Sequence, residues 1–195
     1  MRDPIAAYPS LTRNEVNQRI RFRRFLLAST FSAVYLVVLA FFHSHGLVDL
    51  ETLVQAPTIA TLVIIAFFAL FRLGLNLRFP DPSLTGLQFL AAVSTMLFVV
   101  YRAPDTRLVF AAFFFVALMF GMLRSSGTPL TTLGWESFAC FALMAGLRYV
   151  NNADVEMLRL DLLQLVVMAV TFPWFVFIGR RVTRLREADR RKDVF

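Results

Sequence analysis

Cysteine is almost absent from this chain. Cys140 is the single one among 195 residues, and it sits inside an apolar run, so no disulfide can form within the chain. Histidine is nearly as scarce. His43 and His45 stand two apart, whereas a metal site on a helix wants histidines about four apart and further ligands besides. The pair reads as a polar cap closing an apolar run, and no metal site is expected. There is no glycine-rich phosphate loop, no pair of catalytic carboxylates and no zinc spacing. Cys140, Ser137 and Tyr149 make no nucleophile constellation, because no histidine follows them. An enzyme working with these residues alone is the least supported class, and no cofactor is expected. A cleavable signal peptide is missing too: about two dozen mostly polar residues precede the first apolar run. No internal repeat and no matched pair of broken helices is visible, which weakens a transporter reading.

What the chain has in abundance is apolar sequence. Hydrophobic residues make up 58%, against about 45–50% in a soluble domain, and they fall in long runs. Six runs are long enough for membrane spans: about 25–42, 57–75, 82–101, 108–123, 129–147 and 162–178. Pro57, Pro82 and Pro129 are read as first-turn prolines, with Asp81 and Thr128 as N-caps for the last two. Short connections then make consecutive spans antiparallel neighbours. The net charge of +7 does not point to nucleic acid, because the basic residues flank spans and fill both termini. With the N-terminus inside, arginines 2, 13, 19, 21, 23, 24, 72, 78 and 124 and the basic tail from Arg180 all lie on the cytoplasmic side. Only Arg102, Arg107, Arg148 and Arg159 lie outside. The expected fold is an all-α membrane protein, with six transmembrane helices in an antiparallel bundle and a cytoplasmic helical extension. Residues 1–24 form a basic cytoplasmic segment, 25–179 the membrane module and 180–195 a cytoplasmic helix. The expected place is a bacterial inner membrane, with both termini cytoplasmic.

Few side chains inside these spans carry chemistry. Glu136, in Gly134-Trp135-Glu136-Ser137-Phe138, is a carboxylate at the edge of the apolar zone and a candidate for sensing, or else an interfacial residue bonded to its neighbours. Tyr35 lies within the first span and, with His43 and His45, completes the set of candidate signal-sensing residues. Asp49, Glu51, Asp154, Glu156 and Asp161 make the outer loops acidic, as hydrated loops often are. Small residues recur four apart in Ala28/Ser32, Ser29/Ala33 and Ala142/Gly146, a spacing that permits close helix contact.

Two stretches carry a resemblance. Arg72-Leu-Gly-Leu-Asn-Leu-Arg-Phe-Pro-Asp-Pro-Ser-Leu-Thr85 is the most distinctive internal segment, with Asn76, Arg78, Asp81 and Pro82 as its structural residues. It resembles the N-L-R-F-x-D-P-S-L-T loop of six-span N-terminal membrane modules in bacterial signalling proteins such as diguanylate cyclases. Phe120-Gly-Met-Leu-Arg124 is similar to the F-G-x-x-R stretch that closes the fourth span of those modules. In the tail, Glu187-Ala-Asp-Arg-Arg-Lys-Asp193 and Phe195 resemble the linker just before the phosphoacceptor helix of sensor histidine kinases, and Val194 departs from the usual acidic residue. These resemblances imply a sensor module that passes a signal by shifting or rotating the sixth span into an output helix marked by Val182, Leu185, Asp189 and Arg190. Ile178, Val182 and Leu185 have the spacing of a coiled-coil seam, which implies a homodimer. The implied partners are membrane lipid and a cytoplasmic output domain or response regulator. A kinase would continue beyond Phe195 into a histidine-bearing helix and an ATP-binding domain, a cyclase into a nucleotide cyclase domain, and a free-standing membrane protein would end nearby.

Overall fold

The structure, a computed structural model, describes the backbone of residues 13–124 and 130–192, and the side chains of residues 16–117, 131–178 and Arg181. Among these residues there are six α-helices, two 3₁₀ turns and no strand. The helices are α1 (Arg13–Ser44), α2 (Leu50–Arg72), α3 (Thr85–Arg102), α4 (Arg107–Arg124), α5 (Leu130–Asn152) and α6 (Val155–Lys192). Four of them are long and apolar enough to cross a membrane, over Val16–Ser44, Leu50–Arg72, Thr85–Arg102 and Val155–Ile178. The apolar run of α5 is interrupted by Gly134, Glu136 and Ser137, and that of α4 continues into residues whose side chains are not described.

Several hydroxyls within the helices are satisfied locally. Ser29, Thr30, Thr58, Thr95, Ser137 and Thr171 each donate to the carbonyl four residues back, at 2.7–3.1 Å. Such back-bonding removes the need for water, so even the exposed Thr30 and Thr58 suit a hydrocarbon surround.

Each helix packs on the next, and α3 also packs on α5 and α4 on α6. α3 is the hub: 39% of its apolar window is buried, against 17% in the three other apolar helices. Phe89, Val93, Met96, Leu97, Val99 and Val100 supply that burial, meeting Phe110 and Phe114 of α4 and Phe141 of α5. α1 meets α4 through aromatic rings, with Phe31 and Tyr35 lying 5.1 and 5.2 Å from Phe113.

The helix ends follow local rules, with two corrections to the expected starts. α1 closes with Gly46 in the left-handed region, Leu47 N–H bonded to Phe42 C=O and Gly46 N–H to His43 C=O, a Schellman ending. α2 does not start at Pro57. It starts at Leu50 because Asp49 caps it, taking the Thr52 N–H at 3.4 Å, and Pro57 lies inside the helix. Nor does α3 start at Pro82. Leu84 N–H bonds Asp81 C=O, closing a turn that holds Pro82, while the Asp81 carboxylate takes the N–H groups of Ser83 and Thr85 at 2.9 and 3.0 Å. Asp81 thus caps from outside the helix. Leu84 is held in the left-handed region, with its side chain buried against Phe25 and Phe71. α6 begins at Val155, earlier than the apolar run, because the Asp154 carboxylate accepts from the Met157 N–H at 3.0 Å. Pro129 lies outside the described residues.

Small-residue spacing misplaces the close helix contact. Ala142 and Gly146 are exposed. The tight approach is instead at Gly134 on α5, over which the Phe172 ring of α6 lies so closely that a Cβ there would overlap it. We predict that Gly134→Ala destabilises the chain by roughly 1–3 kcal/mol, the usual cost of overpacking. Adding Phe172→Leu should recover most of that loss, as read from thermal unfolding in detergent.

Candidate functional site

One end of the bundle gathers the start of α2, the end of α3, the start of α4, the end of α5 and the start of α6. Its centre is Arg148 of α5. The Arg148 Nη1 donates to both carboxylate oxygens of Asp161 on α6, at 3.2 and 2.9 Å. Its Nη2 donates to the carbonyl of Val100 on α3. Val100 belongs to the last turn of α3, where carbonyls lack helical partners and the dipole favours a cation. Arg148 is 3% exposed and Asp161 0%, so the pair is out of solvent. The Tyr101 ring lies under the guanidinium at 5.8 Å, and the Tyr101 hydroxyl accepts from Asn151 at 2.8 Å.

A second guanidinium stands close by. Arg107, at the start of α4, donates through Nε to Pro104 C=O at 2.9 Å and through Nη2 to Met157 Sδ at 3.2 Å, one turn before Asp161 on α6. Gln164 returns a bond to the Arg107 carbonyl at 3.3 Å. Two buried donor atoms, Arg107 Nη1 and Arg148 Nε, have no partner among the described residues. Arg148 thus takes the Asp161 carboxylate while Arg107 bonds Pro104 and Met157 close by, in a cluster tying α3, α4, α5 and α6 together.

Beside this clamp lies a more exposed cluster. Arg102 reaches Glu51 at 2.6 Å, Asp49 at 3.9 Å and the Thr52 hydroxyl at 3.5 Å. The Asp49 carboxyl is held below its ordinary range, first by the Thr52 hydroxyl and further by the Thr52 N–H and the Arg102 charge.

The opposite end is organised by amides. Asn76 is fully buried in the 3₁₀ turn Leu75–Arg78 that follows the left-handed Gly74. Gln18 of α1 and Asn76 bond each other reciprocally at 2.8 and 3.1 Å, Gln18 also reaches Phe71 C=O, and Asn76 reaches Pro82 C=O. The distinctive 72–85 loop is thereby clasped to α1.

The sequence-derived candidates are spread over both ends. His43 Nδ1 contacts Val48 C=O at 2.7 Å and His45 Nδ1 contacts Phe41 C=O at 2.9 Å. Carbonyls only accept, so both Nδ1 atoms donate, and the pair finishes α1. Glu136 lies at the other end, lining a shallow cleft with Phe79, Asp81 and Gly86 near the start of α3. Tyr35 is buried between them, 4% exposed. The three positions do not converge on one site. Val182, Leu185, Asp189 and Arg190 fall within helical α6, and their side chains lie outside the described residues. Asp161, taken as part of a hydrated acidic loop, is instead fully buried, and Arg148 is its partner rather than a loop cation. The usable signal was an Arg and an Asp flanking a two-residue hairpin between helices.

No family model matches the chain, and neither does any curated protein or any solved structure.

Two predictions come from this end of the bundle. Arg148→Met or Asp161→Leu alone should cost about 3–5 kcal/mol, because each strands a buried charge, whereas the double variant should be close to neutral. A thermal-unfolding cycle in detergent measures the coupling. For Asp49, a carboxyl depressed in the folded state stabilises above the unfolded value near about pH 4 and loses that contribution as pH falls through the folded value. Thr52→Val should move the Asp49 midpoint upward toward the ordinary carboxylate value in a carbon-detected NMR titration.

Proposed function

We propose that the chain is the membrane input module of a bacterial signal-transduction protein, a two-component sensor histidine kinase being the favoured parent. In this reading all six α-helices cross the inner membrane as an antiparallel bundle, with both termini cytoplasmic. α6 is the outlet. The observation that carries the proposal is its continuity: one helix of 38 residues runs from the charged clamp through an apolar span into the basic segment. Such a helix is about 57 Å long, well beyond the roughly 30 Å of a hydrocarbon core. The apolar span is followed by the E-A-D-R-R-K-D stretch, so a change felt at Asp161 has an unbroken path to it. Leu163, Val167, Val170 and Trp174 leave one stretch of α6 exposed, which supports a homodimer through this helix.

The orientation gains support from the clamp. Of the four arginines assigned outside, Arg102 and Arg148 are paired with carboxylates and Arg107 is partly buried. Cations neutralised in this way weigh little in the retention of basic loops, which leaves the charge bias toward the inside stronger than the raw count. The second reading, a diguanylate cyclase module, rests on the 72–85 loop and uses the same outlet.

The test fuses the chain to a histidine kinase catalytic region and inserts alanines one at a time between Arg184 and Leu185. Each residue turns the output by about 100°, so one or two insertions should change autophosphorylation by about 5–150-fold, the range of a 1–3 kcal/mol coupling. Seven insertions should restore it to near the starting phase. Output indifferent to insertion length would overturn the proposal. Alkaline phosphatase fusions should be active at Gly46 and Ala153 and inactive at Asn76.

A further inference from the structure

Between α1, α2, α3 and α4 lies a cavity of about 170 Å³ that none of the interactions above fills. Ala28, Ser29, Ser32, Ala60 and Ala92 line it, and these short side chains leave open the space that longer ones would close. The small residues read from spacing as helix-contact points thus hollow the bundle. Most of the wall is apolar, with Phe31, Val63, Ile64, Phe67, Phe89 and Met96.

The cavity is charged at one end only, the polar lining residues Ser29, Ser32, Tyr35 and Thr95 along the rest of it being uncharged. Arg21, Arg24, Ser83, Thr85 and Gln88 surround the charged end. Neither Arg21 nor Arg24 makes a salt bridge among the described residues. The start of α3 is already capped by the Asp81 carboxylate, so the positive charge of this rim comes from the two guanidiniums. From this rim the cavity runs along α1 to Tyr35 and Leu36. The apolar lining on α1 begins at Phe25, and the eleven residues from there to Leu36 span about 17 Å of helix, close to half of a roughly 30 Å hydrocarbon core. The wall therefore matches one leaflet in depth, with two cations at headgroup height. The exposed Leu27 on the lining leaves room for a chain to enter sideways from the bilayer.

We propose that this cavity binds an anionic phospholipid of the leaflet adjoining Arg21 and Arg24. One acyl chain lies along α1 between Ala28 and Tyr35, and the phosphate is held by the two guanidiniums. The second acyl chain remains in the bilayer. The lipid wedges α1 against α3 and is gripped beside the Gln18–Asn76 clasp, so its presence bears on the 72–85 loop. The proposal needs membrane placement but not the signalling reading, and its test involves no output domain, so either can fail without the other.

The full chain is placed in nanodiscs of phosphatidylcholine containing a trace of phosphatidylglycerol with a diazirine in one acyl chain. It is irradiated and mapped by mass spectrometry, and a phosphatidylcholine probe with the same chain serves as the reference. Label from the phosphatidylglycerol probe should concentrate on Ala28, Ser32, Ile64 and Ala92, about tenfold above the reference probe, equivalent to roughly 1.4 kcal/mol. Arg21→Gln with Arg24→Gln should bring the two probes level. Ala92→Phe, which fills the cavity and keeps both arginines, should remove the cavity label while leaving the label on the exposed Leu143 and Leu147 of α5. Ser32→Phe serves the same purpose if Ala92→Phe fails to fold. Equal labelling by the two probes in the unaltered chain, or label on α5 as dense as in the cavity, overturns the proposal. Displacement of the phospholipid label by an equimolar free fatty acid overturns the choice of occupant.

Discussion

A guanidinium taken out of water must find acceptors or unfold its surroundings. Arg148 finds them on two other helices, the Asp161 carboxylate of α6 and the Val100 carbonyl of α3. That requirement fixes the relative height of α3, α5 and α6, since sliding any one by a turn, about 5.4 Å, would strand the charge. The apolar packing below tolerates such shifts far better, because lipid tails and leucine side chains are nearly equivalent neighbours. The cluster also holds a second cation, Arg107, and places both near the carbonyl end of α3, whose dipole offsets part of the excess.

The two ends of the bundle use different chemistry for the same purpose. At the Arg148 end, charges join α5 to its neighbour α6 and to the more distant α3. At the other, two neutral amides join α1 to a loop 58 residues away. A neutral pair avoids most of the desolvation cost of ions, and the reciprocal arrangement satisfies both side chains at once. Between these two fastenings α1 has little besides Phe31 and Tyr35 to hold it against α4. The cavity opens in that intervening stretch.

Of the six apolar runs that hydropathy marked, four lie in helices long and apolar enough to cross a membrane among the described residues, since such runs follow from composition over about twenty residues. Asp81 as a capping residue was legible, because it acts through its own backbone neighbourhood. Pro57 misled because a proline is tolerated inside an apolar helix, and the competing cap at Asp49 lies beyond the apolar window. Asp161 misled for a different reason. Its burial depends on Arg148 and Val100, which reach it only after folding, and a sequence shows charge without showing its partner. The cavity was illegible in the same way: Ala28 and Ser32 have the spacing of a helix contact whether or not a helix arrives.

Consider last how α6 is held. Asp161, Phe172, Phe175 and Val176 engage the bundle in turn, with Phe175 stacked on Phe115 at 4.6 Å. Beyond Val176 the described side chains Phe177, Ile178 and Arg181 are exposed. The remaining stretch to Lys192 is a lever arm of about 24 Å clamped at its inner end. A tilt of about 5° at that fulcrum carries Lys192 sideways by about 2 Å along a helix of this length. A motion too small to break any contact in the bundle thus becomes a displacement comparable with those that repack helix interfaces.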